Sequence, residues 1–474
     1  MKVATIFAVA VLMPYESGAV SVQVEPDRMV AVNGKRTFIL GLYENPGDEA
    51  VLAQVVESGF NLVRAEARAE ALDRLQGKGI RAWVNTGSSI DLSEDPEPRR
   101  KQLEELAARL QGHPALLCWE VPDEALWNCW YEAIVWRGNE EGRQQRLLVN
   151  ALGDHALQEE LNHARTQADH AYAVGDYKLS EELADEIWRK LGKEPPKPTL
   201  NISNAAQRAA CVREGLLAGH TYLKSLDPDH PVWMNHAPRN QIPQLRAFNE
   251  AADIVGCDIY PVPPYRGGHS DISDRSLSAV GAYTARMQIA APYKPVWMVL
   301  QGFGWADIDG SANEYDKREG RRPSYDELRF MAYDAIVRGA RGILFWGTHA
   351  IEKDSELWQD LLKLVRELAD LQPVLSAPDA ILDPRVSVGE TWGSVDKGVE
   401  VLPKRHGQDI WLLAVNEWHE PLEVVVENVH EMDGVQYVDK SSGTEVWANN
   451  GRLDLKMPGN GVYVLAPATA LAHR

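Results

Sequence analysis

Short apolar runs bounded by turn residues recur along most of the chain. Many of them are followed by a stretch in which apolar residues return every third or fourth position. The runs Thr37–Tyr43, Asn61–Ala65, Ile80–Asn85, Ala115–Glu120, Val232–Asn235, Ile254–Tyr260, Val296–Leu300 and Gly342–Trp346 predict strands. Helical spacing predicts helices near Glu49–Glu57, Ala67–Leu75, Arg99–Leu110, Gln244–Ala251, Tyr325–Val337 and Ser355–Leu368; in the third, Leu103, Leu106 and Leu110 share one face. Strands that alternate with helices imply a parallel sheet with right-handed crossovers. Eight such units predict an α/β fold of the (β/α)8 TIM-barrel type. An open doubly wound sheet is the structural alternative, but no GxGxxG or GxxxxGK[ST] follows any of these strands.

Three segments fall outside this rhythm. Val22–Phe38 carries Asn33-Gly34 between short apolar stretches, which predicts a hairpin. Residues 127–199, from Trp127 to Thr199, form a helical insertion after the fourth strand and end at Pro195-Pro196-Lys197-Pro198. It is expected over the C-terminal face of the barrel, as a lid or subsite wall, an inert helical hairpin or a dimer contact. From Ser376 onward helical periodicity stops. Val399–Leu402, Ile410–Val415, Leu422–Val426 and Val462–Leu465 predict strands of an all-β C-terminal domain over residues 376–474, leaving 20–375 to the barrel with its hairpin and insertion.

At the N-terminus Lys2 precedes an apolar run, Val3–Met13, too short to span a bilayer, and Ser17-Gly18-Ala19 offers small residues for cleavage. Residues 1–19 therefore read as a signal peptide, with a first apolar strand as the alternative. The expected location is secreted or periplasmic, with no membrane insertion after cleavage. The formal net charge of −20 argues against nucleic acid and anionic membrane surfaces as partners. Four cysteines in 474 residues make no disulfide framework; Cys118 and Cys257 lie in apolar runs and read as buried thiols. His155, Glu159, His163 and His170 fall on a polar helix without zinc spacing, so no metal and no cofactor are expected.

In such a barrel the chemistry gathers at the C-terminal strand ends. The polar residues there are Glu44, Glu66, Asn85, Glu120, Asp123, Glu124, Asn235, His236, Asp258, Tyr260, Gln301 and His349. Carboxylates crowded into one cleft shift each other's pKa, which suits proton transfer. The chain also has 15 Trp against 7 Phe. Aromatic planes suit the flat C–H faces of sugar rings, and Trp119, Trp127, Trp130, Trp233, Trp305 and Trp346 fall at or near strand ends. Trp83, Trp188 and Trp411 read as core.

Three stretches carry a family resemblance: His113-Pro114-Ala115-Leu116 leading through Trp119 to Asp123-Glu124, Lys294-Pro295-Val296-Trp297, and Gly342–Trp346. They resemble the clan of retaining glycoside hydrolases that includes cellulases and β-galactosidases, over roughly residues 35–370. The resemblance implies a (β/α)8 barrel, often with a C-terminal β domain, and a carbohydrate substrate. It also implies a general acid after the fourth strand and a nucleophilic glutamate ending the seventh. Glu124 stands at the acid position; the alternative is that Asp123 and Glu124 cap the following helix. Asp123 replaces the usual Asn, and Gln301 replaces the usual nucleophile. Three explanations stand open. An N-acetyl group of the substrate could supply the nucleophile, with Asp123, Glu124 and Tyr260 matching the residue types of such enzymes. Glu66, Glu120 or Asp258 could instead activate water and invert. The protein could also bind glycans without cleaving them. Glu44, Glu66, Trp119, Glu120, Trp127, Asn235, His236, Asp258, Trp305 and Trp346 are the expected substrate contacts.

Overall fold

The computed structural model describes residues 20–265, 270–309 and 319–471. The expected signal peptide lies outside them. Eight parallel strands close into a barrel: β1 (Ile39–Leu42), β2 (Leu62–Ala65), β3 (Arg81–Asn85), β4 (Leu116–Glu120), β5 (Val232–His236), β6 (Ile254–Ile259), β7 (Val296–Gln301) and β8 (Gly342–Trp346). Each pairs with the next, and β8 closes on β1 through Gly342↔Ile39 to Phe345↔Leu42. All eight predicted strands are present.

Strand side chains alternate between lumen and helix layer. The lumen is filled by Tyr43, Leu62, Trp83, Cys118, Trp233, Ile254, Trp297, Val299 and Leu344. Trp83 and Trp233 meet edge to face at 5.4 Å, and Trp233 lies 5.6 Å from Trp297. Three indoles in one small barrel demand small neighbours. A Cβ on Gly256 would stand 2.3 Å from the Trp297 carbonyl oxygen, and one on Gly342 would stand 2.7 Å from the Trp297 ring.

Before the barrel, Val22–Val24, Val30–Val32 and Lys35–Thr37 form an antiparallel meander. The turn is the expected one: Asn33 (φ 50°) and Gly34 (φ 73°) are both left-handed, as a two-residue hairpin loop needs.

The insertion is helical as predicted, in Ala125–Val135, Glu141–Asn150, His155–Ala173 and Tyr177–Lys190. Val149, Leu161 and Ile187 form its small core. Arg137 is buried between Glu141 (2.9 Å) and Asp185 (2.8 Å), and Trp188 Nε1 donates to Glu141 at 2.9 Å. The insertion leaves the C-terminal end of β4, but its outer hairpin packs on itself and on Glu141–Asn150. Among the described residues no hydrogen bond ties that hairpin to a strand end of the barrel.

The C-terminal strands form a three-stranded and a five-stranded antiparallel sheet around their own apolar core. The four predicted strands lie within Val399–His406, Asp409–Asn416, Leu422–Glu427 and Val462–Pro467. The sandwich meets the barrel through helix Tyr325–Val337. There Asp334, fully buried, accepts from the Gly281 amide at 2.7 Å and feels the charge of Glu417, which Arg338 clamps at 2.7 and 2.8 Å. Burial, then the Glu417 charge, holds the Asp334 pKa well above the ordinary range. The folded state therefore keeps a proton that the unfolded chain releases above about pH 4, so stability falls as pH rises from there toward the folded-state value. Asp334→Asn keeps the acceptor and removes the titration. It should raise the unfolding free energy by about 1–3 kcal/mol at pH 9 and little at pH 5. Denaturant midpoints at the two pH values check this; an equal difference at both contradicts it.

Candidate active site

β4 ends at Glu120, and the chain then runs along β5, with the Val121 amide donating to the Trp233 carbonyl at 3.0 Å and the Glu124 amide to the Asn235 carbonyl at 3.2 Å. Glu124 adopts φ 51°, ψ 31°, a left-handed conformation that a Cβ-bearing residue seldom takes, and helix Ala125–Val135 starts immediately after it. Its side chain makes no capping bond to that helix. The capping alternative is thus set aside for Glu124: the turn that starts the helix leaves its carboxyl free for other contacts.

Those contacts are acidic. Glu124 is half-buried and interacts electrostatically with the buried Asp258 of β6, so a proton on the pair is favoured. Tyr260, just past β6, is close enough to Asp258 to act on its charge. Burial, then the nearby Asp123 charge, raises the Glu124 pKa to about 7. The same causes, burial first and Glu124 second, hold the Asp258 pKa well above the carboxylate range.

Asp123 is open to solvent at the mouth yet sits low between the barrel walls. Asn235 Nδ2 donates to its Oδ1 at 3.0 Å, and the Tyr43 hydroxyl lies 3.4 Å from the same atom. Burial among protein atoms raises its pKa against the pull of those two donors. Asn235 thus holds the Asp123 carboxylate with its side chain and the Glu124 backbone with its carbonyl. Behind them Glu120 is fully buried. It accepts from Tyr43, from Asn85 at 2.8 Å and from Trp83 at 3.2 Å, and burial followed by the Asp123 charge raises its pKa to about 7. Across the mouth Tyr260 stacks on Trp346 at 5.4 Å and 20°, with Phe303 behind and Trp305 6.2 Å away, forming a half-buried aromatic wall.

Asp123, Glu124, Asn235, Asp258, Tyr260, Trp305 and Trp346 therefore come together. Trp127 stands at the rim, stacked on Tyr131 at 5.7 Å, with the Arg239 guanidinium 5.4 Å from its ring.

Other expected contacts lie elsewhere. Trp119 points into the helix layer, where its indole donates to Asp227 at 2.7 Å beside His230. His236 also faces outward, bonded to Asn249 at 2.8 Å, and burial drops its pKa to about 4, so it is neutral. Trp233 is core. Glu120 is sealed from substrate and positions Tyr43 and Asn85 instead. Glu66 is exposed and pairs with Arg68. Glu44 is tied to Lys353 (2.7 Å) and Thr348 (2.6 Å). Gln301, expected in the catalytic set, is fully buried. Its oxygen accepts from the Val262 amide at 2.9 Å, and its nitrogen donates to the Val262 and Phe303 carbonyls at 2.8 and 3.0 Å. All its polar atoms are engaged with main chain, so it braces the loop after β6 and offers nothing to a substrate.

Two cations escaped the sequence reading. Arg64 of β2 acts electrostatically on Glu120 and Asp123, and Arg239 acts on Glu124. The signal for Arg64 was its alternation with Leu62, which faces the lumen. Arg239 lies in a loop and had no such signal.

A closed (β/α)8 barrel followed by a C-terminal β-sandwich is a fold that several solved glycoside hydrolases share with this chain. Solved structures agree. The chain superposes on a family 5 glycoside hydrolase from Bacteroides vulgatus with a TM-score of 0.52 and 13% identity, covering 95% of this chain and 94% of that one. A β-galactosidase from Bacillus circulans sp. alkalophilus gives 0.51 and 12% over 91% and 99%. A catalytic mutant of a family 42 β-galactosidase from G. stearothermophilus gives 0.51 and 11% over 91% and 98%. At such identities the likeness establishes the fold. No protein-family model and no curated protein sequence matches the chain.

Proposed function

We propose that the protein is a glycoside hydrolase in which Glu124 is the general acid and an N-acetyl group of the substrate is the nucleophile. The observation that carries this reading is the solvent-open Asp123, fixed by Asn235 beside a Glu124 whose pKa burial raises to about 7.

The alternatives lose support in turn. Gln301 has no free atom for substrate. Glu120 is sealed, and Glu66 is paired outside the cluster. Inversion needs a second carboxylate that is ionised and open to a water; Asp258 is buried and its pKa is held well above the carboxylate range.

In the proposed reaction Glu124 gives its proton to the leaving oxygen as the glycosidic bond breaks. The acetamido carbonyl oxygen attacks the anomeric carbon from within the substrate. Asp123 accepts from the acetamido N–H and balances the positive charge that develops there, and the Tyr260 hydroxyl donates to the carbonyl oxygen. Glu124, now a carboxylate, then takes a proton from the water that opens the cyclic intermediate. The Tyr260–Trp346 wall stacks against the sugar ring.

The test is a panel of aryl glycosides in both anomeric configurations, with and without a 2-acetamido group, plus a thiazoline analogue of the cyclic intermediate. Turnover confined to the acetamido series, with competitive inhibition by the thiazoline, is expected. Turnover of 2-hydroxy glycosides without thiazoline inhibition overturns substrate assistance, and turnover of no glycoside overturns the enzyme reading.

A further inference from the structure

A cavity of about 420 Å³ lies between the loop that follows β6 and the C-terminal sandwich, outside the acid cluster. Ligand pockets commonly span roughly 300–1,000 Å³, which includes this size. One wall is Tyr265, a residue with φ 68° that leaves its ring exposed. The other is Trp418 and His419, whose rings lie 4.4 Å apart. Asn460 and Asp396 complete the rim.

The walls are fixed independently of any ligand. Lys397 bridges them by pairing with Asp274 and donating to Ser278 Oγ at 2.9 Å. On the sandwich side the Asn460 amide donates to the Trp418 carbonyl at 2.8 Å, and Trp418 N donates to Asn416 at 3.0 Å. Yet among the described residues the side chains of Tyr265, His419, Asn460 and Asp396 form no hydrogen bond with the protein. A preformed cavity with an aromatic face and four unspent polar groups of mixed donor and acceptor type suits a hydroxyl-rich ring with a flat apolar side. The free Asp396 carboxylate disfavours uronates and sulfated sugars.

The place in the chain gives the cavity its meaning. Tyr265 is five residues beyond Tyr260, so the two lie within about 18 Å of each other, a distance a short oligosaccharide spans. The connecting Val262 is the residue that Gln301 braces from both sides. A rigid link from the acid cluster to a second aromatic face is what an extended substrate needs.

We propose that this cavity is a distal subsite that binds the outer units of a neutral or N-acetylated oligosaccharide whose scissile bond lies at Glu124; this rests on the glycosidase reading above.

The test uses the full chain carrying Glu124→Gln on a printed array of neutral, N-acetylated and anionic oligosaccharides of one to six units. Aryl-glycoside turnover is measured in parallel in the otherwise unchanged chain. Binding is expected to strengthen with length in a neutral or N-acetylated series. Trp418→Ala should remove about tenfold of that gain, the size of one lost aromatic contact. Tyr265→Ala, on an exposed ring, provides the same reading without risk to the sandwich. Both variants should turn over aryl monosaccharides as the parent does. Length dependence that is absent, or that survives both substitutions, or that appears only for anionic chains, overturns the subsite while turnover leaves the glycosidase reading standing. Absence of both array binding and aryl-glycoside turnover overturns the two together.

Discussion

Glu124→Gln should lower kcat/KM for a substrate with a poor leaving group by about 10²–10⁴-fold. The amide keeps the size of the side chain and its place at the left-handed turn, so stability should change little. It removes the proton that Glu124 can hand to a leaving oxygen, and Asp258 is too buried to take its place. KM should move far less than kcat, since the loss falls on the transition state. The check is steady-state kinetics beside an unfolding curve. A variant that unfolds early would assign Glu124 to the fold.

Asp123→Asn should be the second largest loss, about 10²–10³-fold, the size of one oriented polar group at a site of developing charge. It carries a sign that a structural role would not. The acid must be protonated to act, so activity disappears as pH rises through the Glu124 pKa, raised to about 7 in the parent by burial and then by the Asp123 charge. Removing that charge lowers the Glu124 pKa. The alkaline limb of kcat/KM should therefore move to lower pH in the variant. A limb that stays in place, or moves up, contradicts the electrostatic link between the two residues.

The barrel was legible because each strand is a short apolar run and most helices show one apolar stripe. Two barrel helices, Ala205–Leu226 and Ala279–Ala290, were not. In the first, Gly215 and Gly219 lie so close to the Ile90–Ser93 segment that a Cβ on either would clash; the packing face is made by absence of side chain, which apolar periodicity does not register. In the sandwich, Arg452–Met457 alternates buried and exposed positions with charged residues facing out, so no continuous apolar run marked it.

The site was half legible for a related reason. Strand-end position alone does not separate the two faces of a strand. Trp119 and Glu120, or Asn235 and His236, are consecutive on one strand and cannot both face the lumen. Counting along each strand from Leu62, Cys118 and Trp233 sends Trp119 and His236 to the helix layer and brings Arg64 in. Gln301 has the right parity; only its hydrogen bonds to Val262, set by a loop far away in sequence, take it out of the chemistry.

The central claim is that Glu124 protonates a leaving group, and the dependence of rate on leaving-group acidity tests it most directly. Aryl glycosides spanning a wide range of phenol pKa, chosen from the series the protein turns over, should show a shallow slope for the parent. Glu124→Gln should show a steep slope, with near-parental rates for the most acidic phenols, which need no proton to depart. A uniform loss across the series, or no loss anywhere, would contradict the assignment.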